Sequence, residues 1–118
     1  MPDHTIKLTI SHNMWAMTYI KGKIAFTVTK IGEQECRYNG KIHRENGPAM
    51  INRLGDHLWF KHGKLHRGGG LPAIICHDGR KKWCVNDKTH REDGPALKNS
   101  YGVWWWFIDG EQIYNTWE

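Results

Sequence analysis

Residues Gly55 to Ala73 read GDHLWFKHGKLHRGGGLPA, and nearly the same phrase recurs on either side. Within it, His66-Arg67 leads through Gly68-Gly69-Gly70-Leu71 to Pro72-Ala73. Upstream, His43-Arg44 leads through Glu45-Asn46 to Gly47-Pro48-Ala49, and downstream His90-Arg91 leads through Glu92-Asp93 to Gly94-Pro95-Ala96. A second set of markers keeps the same step: Gly32, Gly55, Gly79 and Gly102 stand four residues before Cys36, Trp59, Trp83 and Trp106. The step is 23 or 24 residues, the signature of an array of one supersecondary unit. Such an array presents similar side chains at regular intervals along a surface, which suits binding better than a single asymmetric catalytic centre.

Each unit follows one plan. A strand carrying the Trp position runs into a turn at Asn39-Gly40, His62-Gly63, Asn86-Asp87 or Asp109-Gly110, residue pairs that supply the positive φ of a tight hairpin. The His-Arg to Pro-Ala loop follows, and a second apolar run (Met50-Ile51, Ile74-Ile75, Ala96-Leu97) returns to the next Gly. Proline interrupts a central strand, so each Pro marks a strand start or a bulge. No stretch sustains a helical period. The expected fold is all-β, an elongated antiparallel meander in which stacked hairpins form one twisted sheet.

Outside the repeats, TIKLTI at residues 5–10 alternates with Ile6, Leu8 and Ile10 on one side, a half-buried strand by its period of two. Ser11-His12-Asn13 is a turn, and Met14 to Tyr19 with Ile24 to Thr29 form a hairpin broken at Lys21-Gly22-Lys23. One domain is expected over 1–118: a degenerate N-terminal cap at 1–31, repeat units at 32–110, and a C-terminal cap at 111–118, where Ile113 stands in place of the repeated His.

Seven Trp, four Tyr and three Phe among 118 residues predict an aromatic core. Without a long apolar run or an apolar leader, the chain is expected in the cytoplasm, and three cysteines without framework spacing fit a reducing compartment. Cys36 and Cys84 fall where other units carry Trp or Phe, so they read as core fillers. Cys76-His77 with Cys84 lacks the paired ligand spacing of zinc sites, so no metal and no cofactor are expected. Nor does the sequence contain a nucleophile elbow, phosphate loop or dinucleotide fingerprint, which argues against an enzyme.

The net charge of +5 is uneven: +2 over residues 1–40, +7 over 41–91 and −4 over 92–118. A basic middle favours an acidic protein surface or a polyanion as partner. Arg44, Arg67 and Arg91, with Lys64, Lys81 and Lys82, are the candidate contacts, since guanidinium groups in a row can grip carboxylates or phosphates in bidentate fashion. His43, His66 and His90 read as structural parts of the repeat, as do Trp59, Trp83 and Trp106. The Arg residues admit both a structural and a binding role. Trp104 and Trp105 replace mainly polar residues of the other units, so they are either anchors of a contact surface or the cover of the open end, packed against Tyr114 and Trp117.

At these residues the chain resembles the MORN family of hairpin repeats, and more specifically the divergent form carrying HRxxGPA, here His43 to Ala49 and His90 to Ala96, with His66 to Ala73 one residue longer. The resemblance covers residues 32–115. It implies an elongated sheet serving as an adaptor or binding platform, and, because similar repeats occur in proteins of phages and large viruses, an intracellular inhibitor or adaptor aimed at a host protein. Lys41 and Lys64 match the motif's Lys, whereas Lys88 follows Asp87 in place of Gly. Two other functions fit the same residues: a nucleotide or nucleic-acid binder using Arg and Lys for phosphate and Trp for base stacking, and a self-assembling protein or homodimer joined through its sheet ends.

Overall fold

The structure, a computed structural model, describes residues 3–113. All regular structure among them is β. β1 (His4–Ser11), β2 (Met14–Lys21) and β3 (Ile24–Thr29) form an antiparallel meander, and β4 (Gln34–Tyr38) continues it. From β4 onward each unit is split. β4 turns into the short β5 (Lys41–Ile42), and the loop returns as β6 (Met50–Ile51). The second unit supplies β7 (His57–Leu58), β8 (Phe60–Lys61), β9 (Lys64–Leu65) and β10 (Ile74–Ile75). The third supplies β11 (Lys81–Lys82), β12 (Cys84–Val85), β13 (Lys88–Thr89) and β14 (Leu97–Lys98), and β15 (Trp104–Ile108) with β16 (Glu111–Ile113) closes the series.

One sheet runs the length of the molecule in the order β1-β2-β3-β4-β6-β7-β10-β11-β14-β15-β16, while β8-β9 and β12-β13 pair as separate hairpins. The strand thus bends at the Trp position: its first half joins the long sheet and its second half joins a parallel row of hairpins. Backbone bonds tie that row together, from Arg44 N–H to the Phe60 carbonyl, Arg67 to Cys84 and Arg91 to Phe107, at 3.2–3.4 Å. The result is an open ribbon of 66 × 29 × 17 Å, the elongated meander expected from the repeat.

Every expected repeat turn takes the left-handed backbone: φ is 52° at Asn39, 50° at His62, 49° at Asn86 and 50° at Asp109. Asp87 serves where the other turns use Gly, with φ 69°, and its carboxylate accepts the Leu65 N–H at 2.6 Å. Short polar residues tolerate this conformation and bond locally.

The core is not aromatic. Its centre is Ala49, Ala73 and Ala96, each 0–1 % exposed, with Cys36, Cys84 and Trp83. Each alanine lies between two strands: its carbonyl accepts from Cys36, Trp59 or Trp83 of its own unit and its N–H donates to Leu58, Lys82 or Trp105 of the next. The Pro-Ala pair therefore starts the return strand, as the missing proline N–H requires. Two further sequence expectations are corrected here. Trp106 is 47 % exposed although it shares the position of Trp83, which is 8 % exposed. And the strand at 5–10 is exposed along its whole length rather than half-buried, because no described element packs on either face of β1.

Candidate binding surface

The repeated His-Arg pair explains the packing of Trp59 and Trp83. Arg67 lies over the Trp59 ring with Cζ 3.9 Å from its centroid, and Arg91 lies over Trp83 at 4.2 Å. In the first unit Cys36 holds the Trp position, and Arg44 instead overlies Phe26, the residue directly opposite Cys36 in the sheet, at the longer distance of 5.6 Å. Each guanidinium also donates through Nη1 to the proline carbonyl of its own loop: Arg44 to Pro48 at 3.4 Å, Arg67 to Pro72 at 3.1 Å and Arg91 to Pro95 at 3.0 Å. Burial lowers the Arg67 pKa below its ordinary value. In the first and third units the glycine before proline, Gly47 or Gly94, makes room for this arrangement, whereas Leu71 takes that place in the middle unit. A Cβ at Gly94 would stand 2.8 Å from Arg91 Cζ. Arg44, Arg67 and Arg91 therefore do form a row along the loops, but each is engaged within its own fold.

The histidines link units. Nδ1 of His43 accepts the N–H of His62 at 2.9 Å, Nδ1 of His66 accepts that of Asn86 at 3.2 Å, and Nδ1 of His90 accepts that of Asp109 at 2.9 Å. All three donors are left-handed turn residues of the following unit. An accepting Nδ1 places the proton of the neutral ring on Nε2, where His43 donates to Glu45 at 2.7 Å. That hydrogen bond is the largest cause of the lowered Glu45 pKa. His43, His66 and His90 each serve the next hairpin's turn.

The expected lysine contacts are divided. Lys81 and Lys82 are neighbours in β11 and point to opposite faces. Lys64 sits at a hairpin turn, in the position occupied by Lys41 and Lys88 in adjacent units, so these three lysines line the row of hairpins.

At the C-terminal end the pattern is left incomplete. Ile113 replaces the His of the motif, and Trp106 has no arginine over it among the described residues. Trp104, 42 % exposed, shares its face, with its ring centroid 5.9 Å from that of Trp83 and Lys98 Nζ 5.5 Å from its own. Ile113 stands directly opposite Trp106 and is exposed. Trp105 points the other way, paired with Leu97 and half-buried. Trp104 is exposed on the same face as Trp106, and Trp105 is half-buried on the other. The signal was present in the sequence, since a Trp whose unit lacks the following His-Arg loses its cover. Tyr114 and Trp117, named as cover for this hairpin, lie outside the described residues.

Two further clusters bear on chemistry. Asp56 is buried and accepts from Asn52 Nδ2 at 2.9 Å, from the His77 N–H at 2.9 Å and from His77 Nδ1 at 2.7 Å. These bonds, the Asn52 contact foremost, hold its carboxyl far below the usual range. The pair joins neighbouring turns: Asn52 Oδ1 accepts from Leu54 and Asp56, as Asn99 Oδ1 does from Tyr101 and Val103. Cys76 holds the same position in the unit between, and Asp56 reaches across to the adjoining turn there. Burial raises the pKa of Cys36, Cys76 and Cys84, which keeps the thiols protonated. No three His, Cys, Asp or Glu side chains converge as a metal site would need among the described residues. Comparison with protein-family models, curated proteins and solved structures returns no match.

Proposed function

We propose that this chain is a non-enzymatic protein-binding module of the MORN-like kind, acting as an inhibitor or adaptor toward a host protein. Its contact surface is the end of the ribbon, where Trp104, Trp106 and Ile113 form an apolar centre beside Lys98. The observation that carries this reading is the exposure of Trp106, 47 % against 8 % for Trp83 at the equivalent position, because tryptophan is enriched among the residues that carry the binding energy of protein interfaces. The lysine row formed by Lys41, Lys64 and Lys88 steers an acidic partner toward the ribbon without fixing its register. Capture of a partner from the native host, compared between the wild type and the Trp104→Ala, Trp106→Ala double variant, tests the assignment. Loss of the partner with an unchanged fold supports it, and equal retention refutes it.

A second reading, nucleotide binding, draws on a groove of about 820 Å³ lined by Tyr19, Phe26, Tyr38, Arg37 and Arg44. It lies at the unit where Cys36 stands in place of an indole, with ring faces for a base and two guanidinium groups for phosphate. Quenching of fluorescence by nucleotides at low salt that fades as salt rises favours it. An unmoved spectrum excludes it.

A further inference from the structure

The N-terminal meander carries a surface that the C-terminal binding reading does not use. In β1 and β2, Ile6 stands opposite Tyr19, Leu8 opposite Met17 and Ile10 opposite Trp15. Directly opposed residues share a face. All six are on the same side of the sheet, and all are 38–70 % exposed. Ile24 and Phe26 of β3 extend this side toward β4, for Tyr19 opposes Phe26 and Phe26 opposes Cys36. The other face is more polar: Thr5, Lys7, Thr9, Thr18 and Thr27 lie there with Ala16, Ile20 and Ala25 among them, and the Thr18 and Thr27 hydroxyls bond each other at 2.8 Å. The meander is therefore amphipathic, with its apolar side uncovered by any described part of the chain.

We infer that this face is the interface of a twofold homodimer in which the two meanders stack face to face as a small β sandwich. Three arguments select a second copy as the occupant. The first is area. At roughly 150–250 Å² per large side chain, the exposed fractions of these residues leave about 700 Å² open. That approaches the ~800 Å² that each partner contributes to a standard interface and exceeds the ~300–600 Å² patch of an ordinary monomer. The second is charge. His4 and Lys21 stand at one rim of this face, both beside Asp3; Lys30 follows β3 next to Trp15 at the other rim, its ammonium on the Asn13 carbonyl; and Arg44 bounds the face over Phe26, so the apolar centre between them carries no charge. Two copies therefore meet without opposing like charges, and the face offers no charge pattern to select a different protein. The third is stability. β1 and β2 contain no buried side chain, and a meander needs an apolar face packed against something to persist. Two such faces stacked ~10 Å apart supply the missing layer, and a rotation axis through them leaves each array free to extend outward with its tryptophan end open.

Sedimentation equilibrium of the full chain at micromolar concentration tests the inference. The expected mass is twice the 13.8 kDa of one chain. Leu8→Lys combined with Met17→Glu places an ion pair across β1 and β2, which supports the hairpin itself while making the face costly to bury. This variant is expected to sediment at the single-chain mass with its strand circular dichroism intact. Thr9→Lys, on the opposite face of the same strand, is expected to leave the dimer unchanged. A wild type at the single-chain mass overturns the inference. So does a double variant that keeps the doubled mass, as pairing through the β1 edge or the C-terminal hairpin would produce, and so does a polydisperse series of higher masses. Partner capture through Trp104 and Trp106 is read separately, so either result can fail without the other.

Discussion

Replacing Arg67 by alanine separates a structural ladder from a binding ladder. In the structure the guanidinium lies 3.9 Å from the Trp59 centroid and donates to the Pro72 carbonyl at 3.1 Å. A half-buried cation–π contact is worth about 1–2 kcal/mol, and a hydrogen bond from a charged donor about 1–2 kcal/mol. Allowing for water that takes over part of the second term, Arg67→Ala is expected to destabilise the fold by about 2–3 kcal/mol. At roughly 4 °C per kcal/mol for a chain of this size, the melting temperature falls by about 8–12 °C. Urea denaturation of Arg67→Ala, Trp59→Leu and the double variant isolates the stacking term, whose coupling energy is expected at about 1 kcal/mol. Arg67→Lys keeps the charge but not the plane, so it recovers less than half of the loss. The reasoning is refuted if Arg67→Ala moves the melting temperature by less than about 2 °C, or if its effect is the same with and without Trp59. In either case the arginine recurs from unit to unit for some purpose other than holding its own unit together.

Other perturbations have signs fixed by the geometry. The depressed Asp56 pKa contributes stability that is complete at neutral pH, begins to fade as pH falls below the ordinary aspartate value of 3.8, and is lost as pH drops through the folded value; urea melts from pH 7 to 3 should show the wild type losing its advantage over Asp56→Asn across the acid limb. Gly94→Ala, whose Cβ would press on Arg91 at 2.8 Å, is expected to lower the melting temperature more than Gly47→Ala, where the nearest Arg44 atom is 3.5 Å away. Ala73 is fully buried between two strands, so Ala73→Val should cost about 1–3 kcal/mol by overpacking, measured by chemical denaturation, while Leu71→Val on the exposed loop beside it changes little.

The hairpins were legible because punctuation is local: Asn39-Gly40, His62-Gly63 and Asp109-Gly110 name the left-handed turns they make, and Asn86-Asp87 makes one too. Strand order followed from the short loops. Burial was less legible, because it depends on what lies above a residue and not on its place in a period. Trp83 and Trp106 hold the same repeat position, yet only the first is followed by an arginine that covers it. For the same reason the alternation of Ile6, Leu8 and Ile10 correctly marked a strand and its apolar side but misjudged its exposure, since the pattern records which way a side chain faces and not whether anything meets it. The alanine core was masked by composition: seven tryptophans suggested an aromatic interior, while the repeat uses Trp59 and Trp83 as platforms for cations.

The imidazole bond between units runs one way only. Each of His43, His66 and His90 completes a turn that comes later in the chain, whereas the first repeat turn, at Asn39, leans instead on the carbonyl of Lys23. A chain leaving the ribosome amino end first therefore delivers every new hairpin to an acceptor that is already in place.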